Sequence, residues 1–443
     1  MTYERRGRGY GFTVGPYDRR LPLVIDPLLQ STYLGGTGVD VARALAVHPT
    51  TGEIYVAGSS GSSDFPGTVG GAQALIRGGS DAFIARLNSG LTALTQATYL
   101  GGSGGDGAFA LAVHPTTGDI YVAGVTSSTD FPGTVGGAQP APGGGFDDAF
   151  IARLPSSLTA LTQATYLGGS GDESVASPAI AIHSTTGDVY VTGGTSSIDF
   201  PGTAGGAQPA FGGGRSDAFI ARLSASLTLL IQATYLGGSG DDQVDSAIAI
   251  HPATGDVYVS GRTTSTQFPG TRGGGSGGEQ AYALMINPKT NDIYVAGGTS
   301  SSDFPNTAGG VQPQASASSD AFIARLAADL TVIIQATYLG GRGYDEASAL
   351  AINVTNNNVY VAGGTSSPDF PGTSGGAQPV FRDGCDRFQP LQCDAFIARL
   401  PSSLALMDAV PTVPTLSEWA QILLLVLLVA SGVLTLRRRR VAG

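Results

Sequence analysis

One phrase of sequence recurs along this chain, and the recurrence limits the fold more than any other feature. Ile-Tyr-Val-Ala-Gly, or a close variant, occurs six times, with its tyrosine at Tyr55, Tyr121, Tyr190, Tyr258, Tyr294 and Tyr360. The intervals are 66, 69, 68, 36 and 66 residues. Asp-Ala-Phe-Ile-Ala-Arg-Leu occurs five times, starting at Asp81, Asp148, Asp217, Asp320 and Asp394. Thr-Tyr-Leu-Gly-Gly also occurs five times, from Thr32, Thr98, Thr165, Thr234 and Thr337, and Phe-Pro occurs six times, first at Phe65-Pro66. Near-identical units of this length bury their apolar faces against one another.

Each unit holds four short runs rich in Ile, Val, Tyr and Phe, bounded by Gly, Pro, Ser and Asp. In the first full unit they are 44–49, 53–58, 81–87 and 95–102, with Thr50-Thr51-Gly52 as a tight turn between the first two. No part of the repeat region has a sustained helical period. The pattern predicts an all-β fold, a β-propeller. Six inner hairpins predict six blades. The fourth is truncated to two strands, because after Gly261 a Gly-rich stretch runs straight into 279–288. That leaves a bare edge at 256–261, open to pairing. The array starts with a lone fourth strand, 32–36, and stops after a third strand, 394–400. The N-terminal strand is therefore expected to complete the last blade and close the ring.

The chain carries 22 Arg, a single Lys (Lys289) and a formal net charge of −11 over 443 residues. That balance excludes a general nucleic-acid binder, which needs a basic footprint. A hydrophobic content of 42% argues against a disordered chain, and 67 Gly without a triplet period exclude collagen.

The motifs Ser31-Thr-Tyr-Leu-Gly-Gly, Ala44-Leu-Ala-Val-His, Ile54-Tyr-Val-Ala-Gly, Asp64-Phe-Pro-Gly-Thr and Asp81-Ala-Phe-Ile-Ala-Arg-Leu, recurring in order, resemble the bacterial SBBP β-propeller repeat family. The likeness covers roughly 21–400. It departs in blade number, since the family is named for seven and six are counted here. The resemblance carries no catalytic residues. Residues 1–30 read as a remnant of an upstream region, 31–400 as the propeller and 401–412 as a linker.

The C-terminus has three parts: Val413, Pro414, Thr415, Leu416, Ser417, Glu418 and Trp419; an uncharged apolar run, 420–436; and Arg437–Arg440. The run has the minimum length for a single transmembrane helix, and the basic end places the propeller outside the cytoplasm. This tail resembles the IPTL-CTERM sorting signal of Gram-negative bacteria, departing at Val413 and Ala420. The resemblance implies a transient membrane anchor removed by an exosortase-like processing enzyme; the plainer reading is a single-pass anchor. Residues 1–10 hold Arg5, Arg6 and Arg8 without an apolar core to follow, so no signal peptide is legible. Cys385 and Cys393 sit in the longest loop of the last blade as a candidate disulfide of an oxidising compartment, or as two free thiols.

His48, His114, His183 and His251 take one position in successive repeats, which points to a structural role rather than a metal set. The loop into each blade carries an acid: Asp40, Asp106, Asp172, Asp242, Glu279 and Asp345. Gly35–Asp40 resembles the RTX calcium nonapeptide, but it occurs once per blade rather than in tandem. The six acids are expected to gather at one end of the propeller, as turn residues or as candidate Ca²⁺ ligands. Phe65 and its equivalents are expected to anchor the long loops between second and third strands. No nucleophile elbow, phosphate loop or zinc-protease motif is present, and no organic cofactor is implied. The expected function is non-catalytic: binding an extracellular ligand, or scaffolding in adhesion or matrix. The alternative is a polysaccharide lyase or hydrolase at the channel mouth, which a cluster of acid, base and aromatic residues unique to one or two blades would favour. A third reading is a defective copy.

Overall fold

The computed structural model describes residues 2–6, 9–13, 31–173, 179–265, 267, 278–317, 319–353, 357–374, 380–381 and 394–405. Cys385, Cys393, Val413–Trp419, the apolar run and the Arg tail lie outside the described residues. Among the described residues no helix is long and apolar enough to cross a membrane.

The described chain is all-β. A hairpin of β1 (Thr2–Arg6) and β2 (Gly9–Thr13) forms its own sheet. The first blade is the antiparallel meander β3 (Asp40–Val47), β4 (Ile54–Ser60), β5 (Asp81–Leu87) and β6 (Leu94–Leu100). The second holds β7 (Asp106–Val113), β8 (Ile120–Thr126), β9 (Asp148–Leu154) and β10 (Gln163–Leu167). The third holds β11 (Ala179–Ile182), β12 (Val189–Thr195), β13 (Asp217–Leu223) and β14 (Leu230–Leu236). Among the described residues the fourth has β15 (Asp242–Ile250) and β16 (Val257–Thr263), the two strands that the truncation predicts, and they join the next four strands in one six-stranded sheet. The fifth holds β17 (Glu279–Ile286), β18 (Ile293–Thr299), β19 (Asp320–Leu326) and β20 (Ile333–Leu339). The sixth ends with β21 (Asp345–Ile352), β22 (Val359–Thr365) and β23 (Asp394–Leu400). Strand β16 meets β17 at one pair, Arg262 opposite Gln280. First strands pack in series, β3 on β7, then β11, β15, β17 and β21. The sheets are therefore blades stacked about their first strands, a propeller-like array.

The repeated glycine of Tyr-Val-Ala-Gly has a local cause. The first strand bulges, with its register shifting between Ala42 and Ala44 in β3 and between Ala108 and Ala110 in β7. The bulge drives a carbonyl onto the next strand. A Cβ on Gly58 would lie 1.9 Å from the Val41 oxygen, and one on Gly124 would lie 2.1 Å from the Gly107 oxygen. Gly124→Ala is expected to cost about 1–3 kcal/mol in chemical denaturation, because backbone must shift to admit the methyl.

Blades interlock through two more repeated residues. The Tyr55 hydroxyl donates to Ser156 O in the next blade at 2.8 Å, and Tyr121 to Ala225 O at 2.6 Å. The turn after the third strand carries a leucine in the left-handed region, at Leu91, Leu158, Leu227, Leu330 and Leu404. Three of them plug into the preceding blade: Ala72 N–H donates to Leu158 O, Ala138 N–H to Leu227 O and Val311 N–H to Leu404 O. Those three leucines are fully buried. Leu330 is 54% exposed, and no described residue of the fourth blade donates to its carbonyl.

The closing strand is a correction. Residues 31–36 form no strand, Tyr33 is fully exposed, and β21–β23 remains a three-stranded sheet. The segment is held at the first blade instead: Gly36 N–H donates to Asp40 Oδ2 at 2.8 Å, and Thr37 N–H to Asp64 Oδ1 at 2.8 Å. Both ends of the array consequently show apolar residues. Leu45 and Val47 are exposed on β3, and Ile397 is 80% exposed on β23, where its equivalents Ile84, Ile151 and Ile323 are buried.

Candidate functional site

The loop acids do not gather into one ring. Among the described residues no three acids, His or Cys come together as a metal-binding group. Each acid instead closes its own loop. Asp106 Oδ2 accepts from Gly102 N at 2.8 Å and Ser128 Oγ at 2.9 Å. Asp242 Oδ2 accepts from Gly238 N and Ser265 Oγ, both at 2.7 Å. Asp345 accepts from Gly341 N at 2.8 Å and Ser367 Oγ at 2.7 Å. Asp40 bonds Gly36 N and Ser62 Oγ in the same way, and Glu279 holds Thr299 and Ser301. Asp172 does not belong to the series. It accepts from Phe146 N at 2.6 Å, while Glu173 takes the buried place, accepting from Thr195 Oγ1 at 2.8 Å and Ser197 Oγ at 2.6 Å. Spacing held the signal: Asp40, Asp106, Glu173, Asp242 and Asp345 each stand five residues after the first glycine of Tyr-Leu-Gly-Gly.

The partner of these acids escaped the sequence reading. The aspartate opening each of the first four third strands, Asp81, Asp148, Asp217 and Asp320, is buried beside the acid opening the next blade. Burial raises the carboxyl of Asp81, of Asp106 and of Asp148. It lifts Asp217 and Asp320 to about 6 and Glu173 to about 8, against the pull of hydrogen bonds from Ser197 and Thr195 on the last.

The four histidines are structural. His114 Nδ1 accepts the N–H groups of Thr116 and Thr117 at 3.2 Å, and His48, His183 and His251 do the same in their own turns. The Phe-Pro phenylalanines anchor their loops: Phe65 is buried against Phe83 at 4.5 Å, and its N–H donates to the Tyr99 hydroxyl at 3.0 Å. Phe131, Phe200 and Phe304 repeat this with Tyr166, Tyr235 and Tyr338. The arginine of four third strands pairs with an acid before the second strand, as Arg86 does with Glu53 and Arg153 with Asp119, both at 2.6 Å, and likewise Arg222 with Asp188 and Arg325 with Asp292.

One cavity breaks the repetition. It has a volume of about 490 Å³ and lies where β15, β17 and β21 begin, lined by Asp241, Gln243, Arg262, Glu279, Gln280 and Tyr344 among others. Arg262 stands where other blades carry Gly, Ser or Val after the same glycine. Its Nη2 donates to Gln243 Oε1 at 2.6 Å, and the rest of the exposed guanidinium faces solvent. The Tyr344 hydroxyl donates to Glu346 Oε2 at 2.5 Å, and burial with that bond keeps its proton on far above the usual tyrosine range. The truncation positions this group, since the short fourth blade brings β16 against β17.

No protein-family model matches the chain, and no curated protein matches it. Among solved structures the chain is similar to a Hadza microbial sialidase, with a TM-score of 0.34 and 10% identity over 72% of this chain and 63% of that one. It is also similar to Sqt1 from Chaetomium thermophilum, with a TM-score of 0.30 and 12% identity over 75% of this chain and 83% of that one. The chain thus spans under two thirds of the sialidase's length. Likeness of this order carries no functional argument.

Proposed function

We propose that this chain is an exported cell-surface β-propeller protein with a non-catalytic binding role, anchored or sorted by its C-terminal tail. The observation that carries the binding role is the cavity at Arg262, built from residues that depart from the repeat. The loop acids, the turn histidines and the third-strand aspartates recur from blade to blade, as scaffolding does. Arg262, Gln243, Gln280 and Tyr344 present N–H, amide and hydroxyl groups on an open concave surface, which suits a hydroxyl-rich ligand such as a saccharide. Binding of the purified chain to an oligosaccharide panel tests this. Arg262→Ala is expected to weaken the tightest binder at least about tenfold, the loss of a charged hydrogen-bond donor. A panel without any binder, or an unchanged affinity in the variant, contradicts the assignment.

The Tyr344–Glu346 pair beside an arginine favours a second reading, a polysaccharide lyase or hydrolase. Its signature is turnover: new reducing ends or unsaturated products that vanish in Glu346→Gln.

A further inference from the structure

Four blade junctions share a buried arrangement that the Arg262 cavity does not use. The third strand of one blade and the first of the next bring two acids together: Asp81 with Asp106, Asp148 with Glu173, Asp217 with Asp242, and Asp320 with Asp345. None of the eight is more than 4% exposed. Each pair converges on a glycine. A Cβ on Gly168 would lie 2.0 Å from Glu173 Oε2 and 2.2 Å from Asp148 Oδ1. On Gly237 it would lie 2.5 Å from Asp217 Oδ1 and 2.9 Å from Asp242 Oδ2, and on Gly340 2.5 Å from Asp320 Oδ1 and 2.7 Å from Asp345 Oδ2. Gly101 repeats this with Asp106 Oδ2 at 2.5 Å and Asp81 Oδ1 at 3.0 Å. The space in which two carboxylates meet therefore exists only because the residue there has no side chain.

Oxygens in these pairs are left over. Of the oxygens that face these glycines, Asp148 Oδ1, Glu173 Oε2, Asp217 Oδ1 and Asp320 Oδ1 are buried and have no hydrogen-bond donor, whereas both facing oxygens at Gly101 are already bonded, Asp81 Oδ1 by Gly78 N and Asp106 Oδ2 by Gly102 N and Ser128 Oγ. The ion pairs of the described residues engage other acids: Glu53, Asp119, Asp188, Asp292 and Asp369. Two buried carboxyls whose oxygens lack donors need a shared proton or a cation between them. The donors are all hard oxygens, the set that selects Ca²⁺ over softer-ligand metals.

We propose that the junctions Asp148–Glu173, Asp217–Asp242 and Asp320–Asp345 each bind a Ca²⁺-class divalent cation, bridging the carboxylate that opens a third strand to the one that opens the next blade. The ion clamps consecutive blades. The fourth blade supplies the internal contrast: without a third strand it has no acid to set against Glu279, and no site forms there. This site is independent of the Arg262 cavity and of any saccharide.

The test uses the full chain stripped with chelator, titrated with CaCl₂ by calorimetry and equilibrium dialysis, with Asp217→Asn/Asp242→Asn and Arg262→Ala beside it. The expected result is saturable Ca²⁺ uptake and a raised Tm. Stoichiometry should fall by one ion in the Asn pair and stay unchanged in Arg262→Ala. Should the Asn pair fail to fold, Tb³⁺ luminescence sensitised by the chain's tyrosines, and its displacement by Ca²⁺, decides on the unmodified protein. Folded protein that takes up no Ca²⁺ below about 10 mM, well above the weakest extracellular sites, overturns the proposal. So does a stoichiometry unaffected by the Asn pair.

Discussion

Leu158→Ala is expected to destabilise the chain by about 2–5 kcal/mol, and Leu330→Ala by less than about 0.5 kcal/mol. The two leucines occupy the same turn in different blades, both with left-handed backbone, φ 59° and 57°. That conformation disfavours a branched side chain by roughly 1–2 kcal/mol. Leu158 repays it by burying its side chain among Tyr55, Ala82 and Phe131 and by accepting from Ala72 N. Leu330 is 54% exposed and makes no such bond among the described residues. Leu330→Gly is therefore expected to stabilise the chain slightly, and the same change at Leu158 to be worse than alanine. Urea titration of the four variants measures this. Equal losses at both positions would mean that Leu330 is buried as Leu158 is.

Stability of the metal-free chain is expected to fall as pH rises from about 4.5 to about 8. Burial holds the Glu173 carboxyl at about 8, against an ordinary value of 4.5. Between those values the folded chain keeps a proton that the unfolded chain has released, so raising pH favours unfolding. The contribution of the group is complete below about 4.5 and gone once pH passes about 8. Asp217 and Asp320, lifted from 3.8 to about 6, act in the same direction over a lower window. Glu173 faces Asp148, with Asp147 close behind, and no ion pair to an Arg or Lys is formed there among the described residues. Glu173→Gln keeps the shape and supplies a permanent donor to Asp148. At pH 8.5 it is expected to be more stable than the parent by about 1–3 kcal/mol, the penalty of an unsatisfied buried group. At pH 4.5 the difference should vanish. Denaturation across this range in chelator shows it; a parent whose stability is flat or rising with pH would place the pairs in solvent.

The architecture was legible because repetition does the work of an alignment within one chain. Four runs per unit, turns at Gly52 and its copies, and the 36-residue interval yielded the blades, the meander order and the two-stranded fourth blade. The anchoring role of Phe65 and the local role of His114 followed from their recurrence. The junction pairs were not legible, because Asp81 and Asp106 are 25 residues apart and meet only when one blade's third strand abuts the next blade's first. Asp172 was chosen over Glu173 because side-chain type was followed where the distance from Gly168 decides. The cavity at Arg262 was missed for the opposite reason: its residues are single departures, invisible to a search for recurrence, and the loss of two strands draws them together. Closure failed because pairing 32–36 with β23 joins the two ends of the array, and Asp40 and Asp64 hold that segment at the first blade instead.

The surface role is tested most directly by the intact mass of the native protein recovered from fractionated cells. The account predicts a chain outside the inner membrane, either ending near Trp419 or held full-length in the membrane by 420–436. A full-length chain in the cytoplasm would contradict it.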